Sequence, residues 1–132
     1  MKWLKAAALL VLGACSPNAA QSDDLSGAQA ACTRGAQHAE VTIGGTVARV
    51  LGVRHGRNGS HEGFTLRMQA TAPTLHIEDN IDITGYIPMH PGDTVELMGQ
   101  YECNDGVIHW THHDPRGRHP SGYIKINGRA YQ

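Results

Sequence analysis

The chemistry in this chain is concentrated between Val107 and Gly122, which read Val-Ile-His-Trp-Thr-His-His-Asp-Pro-Arg-Gly-Arg-His-Pro-Ser-Gly and hold four of the nine histidines. If a strand runs through to His113, the two-residue period puts His109, Thr111 and His113 on one face and Ile108, Trp110 and His112 on the other. Asp114 stands at the strand end, and Pro115 and Gly117 fold the following loop so that His119 returns toward it. Imidazoles with a carboxylate are donors for zinc or manganese, so His109, His113 and Asp114 are the candidate ligands of one divalent ion. Such an ion would activate water, with His119 or His61 as general acid or base. Arg116 and Arg118 would neutralise the charge of an anionic transition state. The spacing matches none of the standard zinc motifs.

Two plainer readings stand beside the metal site. The same side chains can form a hydrogen-bonded network that closes the end of a barrel, or a histidine-rich surface that captures metal transiently. A second polar stretch, Arg54-His-Gly-Arg57 to His61, is read as a Gly-rich loop whose Arg54 and Arg57 would bind substrate; a solvated turn is the alternative. Glu62, Glu78 and Glu102 lie near strand ends, but spacing alone pairs none of them. Met68, Met89 and Met98 are read as core filler, and Val107, Ile108, Trp110, Ile124 and Ile126 as barrel packing.

The elements that must position these groups begin after an export signal. Residues 1–14 run from Met-Lys-Trp-Leu-Lys into a short apolar segment ending in small residues, which is the pattern of a signal peptide. The run is shorter than the roughly 20 apolar residues a membrane-spanning helix needs. Leu12-Gly-Ala-Cys15 resembles the lipobox of bacterial lipoproteins, implying cleavage before Cys15 and its acylation, palmitate included. More than one acyl chain makes anchoring in a lipid membrane stable. Ser16 in place of Asp implies, by resemblance to enterobacterial sorting, an outer membrane lipoprotein facing either the periplasm or the cell surface. No nucleotide cofactor is expected outside the cytoplasm.

Loss of Lys2 and Lys5 leaves nine basic against twelve acidic residues, a formal balance of −3. That excludes non-specific coating of nucleic acid by a globally basic face. Eight of the nine remaining cations are Arg, the residue suited to bidentate capture of phosphate or carboxylate. Cys32 and Cys103 remain once Cys15 is acylated, an even pair in an oxidising compartment, and a disulfide between them is expected; two buried thiols are the alternative.

Residues 15–38 read as a lipidated tether with a short helical segment over residues 28–38. From residue 39 to 132 the pattern is β. Val41–Ile43 and Thr46–Val53 form a first strand interrupted at Gly44-Gly45, which read as a bulge or a bend. Phe64–Ala70, Thr74–Glu78, Thr94–Glu102, Val107–His112 and the hairpin Tyr123–Ile126, Asn127-Gly128, Arg129–Tyr131 follow. These elements predict an all-β domain, a small OB-like Greek-key barrel of five to six strands with a short N-terminal helical turn. A small β-sandwich is the competing architecture.

The residues from Gly106 to Gly122, with Gly59-Ser60-His61, Asn80-Ile81-Asp82, Gly92-Asp93 and Gly128-Arg-Ala-Tyr-Gln132, resemble a family of small bacterial exported proteins, domain of unknown function 3465. The Trp110-Thr-His-His-Asp-Pro115 run is its distinctive part, and the resemblance extends from about Val47 to the end. It implies a fold and a motif, without a reaction. Cys103 stands where the family pattern tends to have Trp, which favours the disulfide here. Asp79 stands where a His is usual, which removes one candidate ligand.

The expectation is therefore an anchored extracytoplasmic domain with a His/Asp/Arg site for metal-dependent hydrolysis of phosphodiesters, acting on nucleic acid or another anionic polymer. The alternative is a binding module for an oligonucleotide, oligosaccharide or partner protein in which the histidines are structural.

Overall fold

The computed structural model describes residues 17–132. The segment expected to be a signal peptide, with Cys15 and Ser16, lies outside the described residues. In chain order the elements are α1 (Pro17–Thr33), β1 (His38–Gly56), β2 (Gly59–Arg67), β3 (Thr74–Asn80), α2 (Ile81–Thr84), β4 (Thr94–Glu102), β5 (Ile108–His109), β6 (Tyr123–Ile126) and β7 (Arg129–Tyr131).

All seven strands join one sheet in the order β1-β2-β3-β5-β4-β6-β7, and a further pairing of β1 with β4 closes a ring of five. The neighbours round the ring are antiparallel except for β3 and β5, which run parallel at Ile77 and Ile108. This is a closed five-stranded barrel of OB type, with β6 and β7 extending from β4. Closure removes the open edges a flat sheet of this size would expose.

β1 closes the ring because it is long enough to serve two partners: residues 38–46 pair with β4 and residues 46–56 with β2. The change of partner falls beside Gly44 and Gly45, but no bulge lies there. The register shifts come later, between Val47 and Arg49 and between Val50 and Gly52. Gly45 is needed for close approach: a Cβ there would stand 2.2 Å from the carbonyl oxygen of Arg67. The segment Arg54 to Gly63 is likewise no loop. Arg54 pairs with His61 and Gly56 with Gly59, so only Arg57 and Asn58 form the tip of a long hairpin.

The barrel is filled by the inward residues of alternating strands, Val41, Ile43, Phe64, Leu66, Ile77, Val95, Leu97, Ile108, Ile124 and Ile126, all nearly or fully buried. Ile87 and Met89, from the irregular stretch after α2, join them. The N-terminal segment departs from the tether expectation, because α1 spans 17 residues. Ala28 is buried and Leu25 packs against the core, while Asp24 accepts the backbone N–H of Thr42 at 2.8 Å. The Cys32–Cys103 disulfide fixes the helix end to the residue after β4, with Cα atoms 5.4 Å apart. Among the described residues no helix is long and apolar enough to cross a membrane.

Candidate functional site

The site is built by a strand that stops early. β5 contains only Ile108 and His109, because Trp110 adopts φ 56°, in the left-handed region that bulky side chains rarely enter. This breaks the two-residue alternation expected through His113. Thr111 and His112 are both buried, at 0 % and 5 % exposure, and His113 is exposed. Thr111 Oγ1 donates to Asp79 Oδ1 at 2.7 Å, and His112 Nδ1 donates to the carbonyl of His113 at 2.7 Å. The N–H of Gly122 donates to the His112 carbonyl at 2.9 Å. Only glycine fits at 122, since a Cβ would lie 2.4 Å from the Trp110 oxygen and 2.5 Å from that of Met98.

Beyond the strand, Asp114 organises the loop. Its carboxylate accepts the backbone N–H groups of Arg116 at 2.8 Å, of Arg118, and of His119 at 2.8 Å. Desolvation acts to raise its pKa, but the three N–H donors and the nearby His119 outweigh it and bring it down to about 2. His119 packs its ring against Trp110 at 4.3 Å and His112 at 5.3 Å between centroids. Its Nδ1 donates to the Pro120 carbonyl at 2.7 Å; its buried Nε2 has no hydrogen-bond partner and stands 3.8 Å from Asp114 Oδ2.

These pieces form one wall of a cleft of about 910 Å³. His109, Trp110, His112, Asp114, Pro115, Arg116 and Arg118 line that side, and Arg57, Asn58, His61, Glu78, Asn80 and Ile83 line the rest. Six residues expected from sequence, His61, His109, Asp114, Arg57, Arg116 and Arg118, therefore meet at one place. The others do not join them. His113 faces solvent, His119 packs beside Trp110, and Arg54 is ion-paired with Glu78, which also meets His76 Nε2 at 2.7 Å. Trp110, expected in the barrel core, is cleft wall instead.

The three proposed metal donors are each otherwise disposed. His109 Nε2 faces Glu102 Oε1 at 2.5 Å, a carboxylate also bonded by Gln100 at 2.6 Å. Asp114 is taken by backbone N–H groups and His113 is turned away. Among the described residues no three His, Cys, Asp or Glu side chains are grouped to hold a metal ion.

Spacing alone leaves Glu62 and Asp79 unpaired, and the structure buries them side by side. Glu62 and Asp79 are paired across β2 and β3 and are each 1 % exposed. Burial pushes the Glu62 carboxyl up, offset in part by the Ile87 N–H at 3.1 Å and reinforced by Asp79. Burial also pushes Asp79 up, against the Thr84 and Thr111 hydroxyls that donate to it. The alternation of β2 held the clue, because Glu62 shares the inward face with Phe64 and Leu66.

Folded-state pKa values raised above the unfolded ones mean stability that is full below the ordinary carboxylate range and is lost as pH rises through the folded values. Glu62→Gln is therefore expected to melt at or above the parent temperature at pH 8, with the advantage shrinking toward pH 5. Thermal unfolding of both proteins across that range checks this; an advantage that grows toward acid would contradict it.

Fold and site together define a small closed β-barrel with an arginine- and histidine-lined cleft on its β2–β3 side. The chain belongs to the family described as Protein of unknown function (DUF3465), whose match covers residues 9–132. No curated protein and no solved structure matches it.

Proposed function

We propose that the domain binds single-stranded nucleic acid through its phosphodiester backbone, held outside the cytoplasm by a lipid anchor at Cys15. The observation that carries this is the placement of Arg57, Arg116 and Arg118 round one cleft. Among the described residues none of the three has a carboxylate within ion-pair distance, and Arg118 rests over the Trp110 ring at 6.0 Å. Guanidinium groups left without a carboxylate on both walls of a cleft call for a ligand with repeated negative charge. The β2–β3 face and the β1–β2 hairpin tip are also where OB barrels take extended polymers. Trp110 offers a ring beside the cations, Asn58 an amide, and Asn80, whose Oδ1 accepts the Asp82 N–H at 3.1 Å, an NH2 donor that suits base edges. Metal-dependent hydrolysis, the sequence expectation, would require His109, His113 and Asp114 to converge. The binding reading requires no such convergence.

Because the chain is not basic overall, attraction should come from a few local contacts. With three phosphates neutralised on a single strand, the slope of log affinity against log salt is expected to be about −2. Fluorescence anisotropy of a labelled single-stranded oligonucleotide between 50 and 200 mM salt measures it. Salt-insensitive binding, or displacement of the oligonucleotide by a neutral oligosaccharide, would count against the reading.

The anchor makes a separate prediction. Cys15→Ser should move the protein from the membrane fraction, by this reading the outer membrane, to a soluble or uncleaved precursor form. Fractionation with palmitate labelling tests it; undiminished labelling of the variant would refute the anchor.

A further inference from the structure

The cleft holds more than a grip. Two of its imidazoles are oriented by hydrogen bonds that leave one ring nitrogen of each for a ligand. His109 meets Glu102 through Nε2 at 2.5 Å, so Nδ1 is its remaining nitrogen. His112 donates through Nδ1 to the His113 carbonyl, so Nε2 is its remaining nitrogen. Both rings lie beside Trp110, with centroids 5.5 and 6.0 Å from its own, and both line the cleft with the three arginines. His109 also has a carboxylate, Glu102, to balance the proton it gains. Two oriented imidazoles and cations placed for a phosphate are the parts needed for phosphoryl transfer by acid–base catalysis alone.

We propose, resting on the nucleic-acid reading above, that this cleft cleaves single-stranded RNA without a metal, His109 acting as general base and His112 as general acid. His109 Nδ1 takes the proton of a ribose 2′-hydroxyl as its oxygen forms a bond to the adjacent phosphorus. The bond from phosphorus to the 5′-oxygen breaks, and that oxygen receives a proton from His112 Nε2. The products are a 2′,3′-cyclic phosphate and a free 5′-hydroxyl. No oxidant, reductant or water molecule is consumed. The arginines carry the charge that builds on the phosphoryl oxygens, and Glu102 balances the imidazolium formed on His109. DNA lacks the 2′-hydroxyl, so it binds and stays whole.

The test uses a labelled DNA oligonucleotide carrying a single ribonucleotide, incubated with the purified domain in excess EDTA. Cleavage is expected only after the ribonucleotide, with a cyclic phosphate end seen by mass spectrometry. His109→Gln, which keeps a donor for Glu102, should slow cleavage about 100-fold or more while the affinity stays within about twofold. Retained affinity also shows that the variant has folded. His112→Gln should behave alike. If the oligonucleotide binds but stays intact in EDTA, the cleavage proposal fails and the binding reading stands; if it does not bind, both fail. Cutting at deoxynucleotides, cutting only after a divalent ion is added, or an undiminished rate in His109→Gln prepared identically would each overturn the proposal.

Discussion

The double variant Cys32→Ser/Cys103→Ser is expected to melt roughly 12 to 20 °C below the parent, and reducing agent should bring the parent to the same temperature. The bridge joins residues separated by 71 positions. Closing a loop of that length removes about 4 kcal/mol of conformational freedom from the unfolded chain in the entropic account. A domain of this size has only about 5 to 15 kcal/mol in total, and each kcal/mol moves its melting point by about 3 to 5 °C. The native side of the balance is affected too. Cys103 follows β4 and its N–H donates to the Gln37 carbonyl at 3.0 Å, so the bridge reinforces the junction where α1 hands the chain to β1. Without it, α1 is held mainly by Leu25, Ala28 and the Asp24 contact. Thermal unfolding followed by circular dichroism, with and without dithiothreitol, measures the effect. A drop under about 4 °C would mean that α1 and the barrel are held together without the bridge.

What the sequence made legible follows from which residues carry a period. β4 is found at its expected bounds because Val95 and Leu97 alternate with polar neighbours and a Pro-Gly-Asp turn precedes them. The last hairpin is found because Asn127 and Gly128 take the positive φ values, 49° and 81°, that its turn requires. Around Arg54 to Gly63 the outer hairpin is paired by backbone hydrogen bonds, which need no apolar side chains, and most residues on its β1 arm are exposed. No alternation survives there to be read. α1 buries only Ala28 fully among its described side chains, too thin a stripe to mark a 17-residue helix. The parallel contact of β3 with β5 rests on two residues of β5 and leaves no pattern either. At the candidate site, the residue types drew attention to this loop, and the face assignment failed at one dihedral. The left-handed turn at Trp110 turns His113 outward and brings His112 into the cleft, and nothing in the spacing of the histidines encodes that turn.

Asp114→Ala is expected to weaken single-stranded oligonucleotide binding about 100-fold at low salt, although its carboxylate is not the group proposed to touch the ligand. The carboxylate accepts three N–H groups of the loop, those of Arg116, Arg118 and His119, and so fixes where both guanidinium groups start. Hydrogen bonds to charged groups contribute about 1.5 to 3 kcal/mol each, and about 1.4 kcal/mol is tenfold in affinity, so two misplaced phosphate contacts account for that loss. The positional role makes a sharper prediction than the size. Arg116→Ala/Arg118→Ala should lose about as much as Asp114→Ala, and adding Asp114→Ala to that pair should cost little more, because both changes remove the same two contacts. Arg57→Ala, on the far wall, should cost a further tenfold or so in either background. Anisotropy titrations of the set settle it: full additivity between Asp114 and the arginine pair would mean the carboxylate acts elsewhere. Acidity gives an independent check with a definite sign. A carboxyl lowered to about 2 contributes its ordering fully above the ordinary aspartate range and loses it as pH falls through the folded value. Lowering the pH from 8 to 5 should therefore leave this contribution to binding intact, and the penalty of Asp114→Ala should be the same at both values; a penalty that vanishes by pH 5 would contradict the loop-ordering role.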